Sequence, residues 1–197
     1  MWDQRYSAAG FAYGSQPNEF LAAQVDAIPP GPVLDLGCGE GRNAVFLAER
    51  GYTVTAVDQS AAGLRKAERL ASERGVSITT VQADLGEFVF RPGHWAGIVS
   101  IFCHLPRALR RSLYPSVVQG LRQPDGVLLM EAYTPAQVGR GTGGPSDPDW
   151  MMSLDRLKDE IVGLDWVMAE EKEREVREGS YHTGPASVVQ FIGRRVG

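Results

Sequence analysis

The segment Val33-Leu34-Asp35-Leu36-Gly37-Cys38-Gly39-Glu40-Gly41 constrains this chain more than any other. A short run of strand-forming residues leads into glycines at alternate positions, and a helical pattern opens at Arg42. Glycine lets the backbone turn sharply and lets a ligand touch the main chain, because no Cβ stands in the way. The helix that follows starts with unpaired N–H groups. A strand–turn–helix of this kind is a ligand-binding corner of an α/β sheet.

The rest of the chain repeats the alternation. A helix is expected from Asn18 to about Ile28, with Phe20, Leu21, Val25 and Ile28 on one face, stopped by Pro29-Pro30-Gly31-Pro32. Val33 to Leu36 reads as the first strand and Arg42 to Arg50 as a helix closed by Gly51. Tyr52 to Val57 is the second strand. Ser60 is a fitting N-cap for a helix to Arg74, striped by Leu64, Ala67, Leu70 and Ala71 and ended by Gly75. Val76 to Gln82 and Ile98 to Phe102 read as strands three and four. A helix interrupted at Pro115 is expected over Arg107 to Leu121, and Val127 to Ala132 is the fifth strand. Residues 135–150 read as a loop and Ser153 to Leu164 as helix. Trp166 to Val176 and Ala186 to Arg194 read as two strands whose short link, Glu178 to Gly184, makes them antiparallel. Strands alternating with helices predict a parallel sheet covered on both faces.

Composition narrows the function. The chain has 197 residues, which suits a single domain over 1–197. Its formal charge of −4 excludes a strongly basic nucleic-acid binder. Two cysteines, Cys38 and Cys103, cannot build a disulfide framework and suit a reducing compartment. No stretch reaches the roughly 18 apolar residues of a membrane helix, and the N-terminus has no apolar run behind a basic start. The expectation is a soluble cytoplasmic protein without membrane or nucleic-acid partner. Histidines stand only at 94, 104 and 182, without C-x-x-C or H-x-x-x-H spacing, so no metal site is expected.

The glycine turn also suggests its ligand. Asp58 closes the second strand about 20 residues after Gly37, the place of the acid that bonds ribose hydroxyls in dinucleotide folds. The spacing G-x-G-x-G, however, departs from the dinucleotide fingerprint G-x-G-x-x-G. Asp35, just before the first glycine, is poorly placed beside a pyrophosphate and well placed for an amino group. S-adenosylmethionine has an ammonium, a ribose and an adenine, and no phosphate. Asp35-Leu36-Gly37-Cys38-Gly39-Glu40-Gly41, with Val57-Asp58 and Ala83-Asp84-Leu85, resembles the class I S-adenosylmethionine-dependent methyltransferases over residues 30–132. The terminal hairpin matches their usual sheet ending. The resemblance implies a Rossmann-like seven-stranded sheet of order 3-2-1-4-5-7-6 with strand 7 antiparallel.

It also implies the cofactor contacts. Gly37 and Gly39 approach the methionine part and Asp35 helps hold it. Asp58 takes the ribose hydroxyls, with Gln59 beside the adenine. Asp84 accepts from the adenine amino group, next to Leu85. Ser100, Phe102 and Cys103 border the methionine moiety and the transferred methyl.

The chain ends carry a narrower resemblance. Trp2 to Tyr6, Gly10 to Gly14, Phe102-Cys103-His104-Leu105-Pro106, Thr142 to Pro145 and Tyr181-His182-Thr183-Gly184 resemble small bacterial and cyanobacterial methyltransferases of the tellurite-resistance and thiopurine type. Residues 1–28 then read as an N-terminal lid and helix, 30–132 as the cofactor-binding core, and 133–197 as the substrate-side loop, helix and hairpin. Tyr13 offers a hydroxyl and an aromatic face to the cofactor, while Trp2 and Phe11 read as packing residues. Arg5, His104 and His182 are the cationic or proton-handling candidates for catalysis. The glycine-rich loop 139–150 reads equally as a lid and as an ordinary connector.

The segment after strand four, Ser100 to Pro106, lacks the N/D-P-P-Y/F box of amino-group methylases. No acidic cluster suggests the metal of a catechol methylase. The expected acceptor is therefore a small soft nucleophile: a selenium or tellurium oxyanion, a thiol or a thiopurine-like sulfur. Alternatives are a cofactor-binding protein acting on a macromolecule or as a non-catalytic partner, and an NAD-dependent oxidoreductase. A monomer or homodimer is expected.

Overall fold

The computed structural model describes residues 2–197. The elements are α1 (Trp2–Tyr6), α2 (Glu19–Gln24), β1 (Pro32–Leu36), α3 (Arg42–Glu49), β2 (Thr53–Asp58), α4 (Ala61–Glu73), β3 (Thr79–Gln82), β4 (Gly97–Ile101), α5 (Arg107–Gly120), β5 (Val127–Tyr133), α6 (Leu154–Glu160), β6 (Leu164–Glu178) and β7 (His182–Arg195). The seven strands form one sheet of order β3-β2-β1-β4-β5-β7-β6. Strands β1 to β5 pair in parallel, and β7 runs antiparallel to both β5 and β6. The expected topology is the observed one.

Burial explains which strands are central. Every residue of β4 and β5 is buried, so both faces of the sheet are covered there, as a parallel sheet requires. Leu34, Ile98, Leu128 and Met130 face Leu113 and Val117 of α5 and Leu157 of α6. Val33, Ala56, Val99 and Leu129 face Phe20 and Leu21 of α2 and Phe46 and Leu47 of α3. Alternation along β1 and β2 puts Asp35 and Asp58 on that second face, beside α3. Side-chain caps start three of the helices: Asn18 Oδ1 accepts from Leu21 N at 2.9 Å, Ser60 Oγ from Gly63 N at 3.1 Å, and Ser153 Oγ from Arg156 N at 3.3 Å.

Several boundaries differ from expectation. The helix expected over 18–28 is one α-helical segment, α2, followed by a 3₁₀ turn at Val25–Ala27. Strand β3 starts at Thr79 rather than Val76, because β2, its one neighbour among the described residues, first meets it at Thr55. Helix α5 runs unbroken past Pro115, which is exposed, as is Arg111, whose carbonyl loses its helical donor; water can serve that carbonyl. Helix α6 stops at Glu160, ahead of Gly163 at φ 93°. The hairpin pairs further than expected, down to Glu178 opposite His182, leaving a link of only Gly179-Ser180-Tyr181. Helix α1 was hidden from periodicity by its shortness. Among the described residues, no helix is long and apolar enough to cross a membrane.

Candidate active site

The carboxyl edge of the sheet gathers most of the side chains singled out in the sequence. After β1 the turn passes through Gly37 at φ 65° and Gly39 at φ 55°, a region that side chains rarely tolerate. A Cβ on Gly37 would stand 2.7 Å from Cys103 Sγ, and one on Gly39 would stand 2.7 Å from the Tyr6 hydroxyl. The turn is thus pressed between the segment after β4 and the N-terminal helix α1. Asp3 on α1 accepts from the Ser60 hydroxyl at 2.5 Å and the Ala62 amide at 3.1 Å, which ties α1 to the start of α4.

Two acids flank the turn. Asp58 Oδ2 accepts from Gly39 N and Oδ1 from Ser60 N, both at 2.8 Å, so this carboxylate holds the turn's shape. Burial raises its pKa against those bonds. Asp35 is 1% exposed, and its Oδ2 has no hydrogen-bond partner. Burial first, and then the Asp58 charge, push its carboxyl up to about 7. An orphaned, fully buried carboxylate oxygen beside a glycine turn fits a cation-bearing ligand, and the residues present fit S-adenosylmethionine on that ground. Gln59 and Asp84 are exposed; Asp84 Oδ1 accepts from Gly86 N at 2.8 Å as a turn cap. Leu85 is buried in the core cluster that includes Phe90 and Trp95, and Ser100 is buried on β4.

Beyond the turn lies a cluster of rings. Phe102 has φ 50°, an outlier for a bulky residue and a mark of a constrained site. Its ring stacks on Tyr133 with centroids 4.6 Å apart and meets His182 edge-on at 4.8 Å. Tyr13 lies on His182 at 4.5 Å and on Tyr181 at 5.8 Å. Arg5 donates to the Tyr13 hydroxyl at 2.8 Å, with its guanidinium between the rings of Trp2 and Tyr181. Two buried polar atoms of the cluster, the Tyr133 hydroxyl and His182 Nδ1, have no hydrogen-bond partner. The loop after β5 is pinned rather than loose: Gln137 Nε2 donates to Thr142 Oγ1 at 2.8 Å, and Thr183 N donates to Thr142 O at 3.1 Å. A Cβ on Gly143 would meet the Tyr133 hydroxyl and His182, both at 2.8 Å, so this loop already covers the rings.

The two candidate histidines differ. His104 Nε2 accepts from the Tyr133 amide at 3.0 Å, which puts the proton of the neutral ring on Nδ1. Burial, with the nearby His182, pushes its pKa down to about 3. His182 Nδ1 faces Glu178 Oε2 at 3.8 Å; burial lowers its pKa against the pull of that carboxylate. Cys103 is no nucleophile in this setting, since burial pushes its thiol up to about 12.

Behind the rings lies a buried charge network. Glu131, fully buried on β5, accepts from Arg174 at 2.7 Å and 2.9 Å, from Gln190 at 2.6 Å and from Asn18 at 2.6 Å. Asn18 also donates to Glu178, which pairs with Arg42 at the start of α3. Burial works to raise Glu178, but His182, Arg42 and Asn18 outweigh it and bring it down to about 2. None of Tyr133, Glu131, Glu178 and Arg42 stands out by spacing. The one available signal was Glu131, a lone acid inside the apolar run Val127-Leu128-Leu129-Met130-Glu131-Ala132-Tyr133.

Comparison with known proteins places the similarity in the first part of the sheet. Residues 33–126 match the methyltransferase domain family. Those residues are similar to a methyltransferase domain, and the sheet has the fold of the S-adenosylmethionine-dependent methyltransferases. Over 92 residues it is 36% identical to the 2-heptyl-1-hydroxyquinolin-4(1H)-one methyltransferase of Mycobacteroides abscessus, covering 45% of this chain and 40% of that protein. Over 100 residues it is 29% identical to the probable S-adenosyl-L-methionine-dependent methyltransferase TehB of Haemophilus influenzae, covering 51% of this chain and 34% of TehB. The crystal structure of TehB from Haemophilus influenzae superposes with a TM-score of 0.74 at 19% identity, over 98% of this chain and 65% of that one. The matches span less than half the length of these curated relatives. These similarities support S-adenosylmethionine as the cofactor.

Proposed function

We propose that this chain transfers a methyl group from S-adenosylmethionine to a small acceptor whose reacting atom is a soft nucleophile: a thiol, a thiopurine-like sulfur, or a selenium or tellurium oxyanion. The observation that carries the reading is that neither histidine of the ring cluster is set up as a strong base. His104 spends its Nε2 lone pair on Tyr133, and burial lowers the proton affinity of His182. An acceptor that arrives already nucleophilic needs positioning more than deprotonation.

The cofactor supplies an electrophilic methyl and a sulfur leaving group. Asp35, Gly37 and Gly39 hold its methionine end, Asp58 its ribose, and Gln59, Asp84 and Leu85 its adenine. Ser100, Phe102 and Cys103 border the methyl. Tyr13 and Phe102 wall the acceptor, Arg5 attracts its negative charge through the rim, and His182 orients it. His104 acts through the Tyr133 amide, as a positioning residue. In this reading the protein works in the cytoplasm as a monomer or homodimer, on no nucleic acid, with 30–132 as cofactor core and the flanking segments as lid and acceptor side.

Purified protein is incubated with S-adenosylmethionine and selenite, tellurite, a thiopurine, small thiols or small amines, and S-adenosylhomocysteine is measured. Turnover with the chalcogen or sulfur compounds but not the amines is expected. Cofactor binding without turnover would favour a macromolecular acceptor or a non-catalytic role, and binding of NADH would favour the oxidoreductase. A second reading, a ring hydroxyl as acceptor, draws on the five clustered rings and the hydroxyquinolone acceptor of the mycobacterial relative. Adding a hydroxyquinolone to the same panel tests it.

A further inference from the structure

Asp35 keeps one carboxylate oxygen, Oδ2, buried without a partner, although the Arg42 charge and the Ala44 amide both act on the carboxyl. Its backbone is fixed from both sides, opposite Ala56 of β2 and Val99 of β4. The ionisable groups that face it are Asp58 from β2, Arg42 from α3, Cys38 from the turn, and Cys103 from the segment after β4. Asp58 repels a negative charge there, and both thiols stay neutral because burial raises them. Arg42 is the only cation of the set; its charge favours the ionised form, but its side-chain hydrogen bonds go to Glu178 and to the Gln16 carbonyl at 3.5 Å, and burial outweighs it. Burial raises the proton affinity of a carboxylate that no cation bonds directly.

We propose that Asp35 is held as the neutral acid in the cofactor-free protein and releases its proton to solvent when the cofactor's ammonium settles against Oδ2, so that cofactor capture and proton release are coupled one to one. The O–H bond of the carboxyl breaks, the proton passes to buffer, and no other bond changes. The inference rests on the cofactor reading above. The raised proton affinity of Asp35 sets the window: coupling is full below about pH 6 and fades above about pH 8.

The test needs no acceptor. S-adenosylhomocysteine, which keeps the ammonium, is titrated calorimetrically into the full chain in two buffers of different ionisation enthalpy, at about pH 6, 7 and 8.5. The buffer dependence should report about one proton released at the lowest pH, about half at the middle one and almost none at the highest. Affinity should rise about tenfold per pH unit at the acid end and level off above neutrality. Asp35→Asn, checked for native circular dichroism, should bind more weakly, release no proton and lose the pH dependence. Equal apparent enthalpies in both buffers at pH 6 would overturn the proposal from the native protein alone. Unchanged proton release in Asp35→Asn would overturn it too, by assigning the proton to another group. If no binding is seen at any pH, the cofactor reading itself fails, and this inference with it.

Discussion

At the residue scale the site is a contest between burial and hydrogen bonding, and each acid or base resolves it differently. Asp35 loses: its folded pKa is raised above the carboxylate's ordinary value, so the native state binds more protons than the unfolded one between about pH 4 and 7. Its contribution to stability therefore falls as pH rises through that window. Asp35→Asn should raise the melting temperature of the cofactor-free protein at pH 8, and by less or not at all at pH 5; differential scanning calorimetry at both pH values checks the sign. His104 has the opposite direction. Its pKa is pushed below the ordinary imidazole value, so the native state refuses a proton that the unfolded chain takes up, and stability is lost as pH falls from about 6.5 towards 3. Its proton resonances should stay fixed between pH 5 and 8 in a titration followed by NMR. Replacing it with Ala orphans the Tyr133 amide and should cost about 1–3 kcal/mol, read by urea unfolding.

At the element scale, buried ion pairs fasten the loops of the site to the sheet. Arg110 of α5 is fully buried. It donates to both oxygens of Glu160 at 2.8 Å and 3.2 Å, to the Leu105 carbonyl at 2.6 Å and to the Asp149 carbonyl at 2.8 Å. One guanidinium thereby joins α5, α6, the segment after β4 and the segment before α6. Removing one partner of such a pair strands the other, so Arg110→Ala should cost about 3–5 kcal/mol. Arg110→Ala with Glu160→Ala should cost less than the sum of the two single changes, a coupling that a double-mutant cycle in urea would show. Glu131 with Arg174 does the same between β5 and β6. The charge network also explains why the hairpin pairs beyond its expected end. Glu178 is anchored by Arg42 and Asn18, and the ladder continues to Glu178 opposite His182.

Across the whole molecule, stability should be graded from the sheet centre outward. Strands β4 and β5 are buried along their whole length, whereas α1 has five residues and is held mainly by Asp3, Tyr6 and Arg5. Hydrogen exchange should show the amides of Gly97–Ile101 and Val127–Tyr133 opening only with global unfolding. Those of Trp2–Tyr6 should exchange far faster, and S-adenosylhomocysteine should slow them, because Tyr6 stands against the glycine turn. Unchanged exchange in α1 on ligand binding would separate that helix from the cofactor site.

What the sequence determined by itself was local or periodic. The glycine turn, the cap at Ser60, the buried strands and the parallel-then-antiparallel order all follow from side-chain size, backbone freedom and the alternation of apolar residues, and each appears in the fold. Asp35 and Asp58 were legible because strand ends fall at a set place on the sheet's edge. The ends of elements were less so: Pro115 forecasts a break that its solvent-facing position removes, and most of the link expected over Glu178 to Gly184 is taken up by the ladder. The state of the site was decided only by tertiary structure. Whether His104 has a free lone pair depends on a Tyr133 amide 29 residues away, and the proton affinity of Asp35 depends on burial set against the charges of Arg42 and Asp58. Proton affinity and hydrogen-bond satisfaction are set by which groups burial brings together, and no spacing along the chain records that.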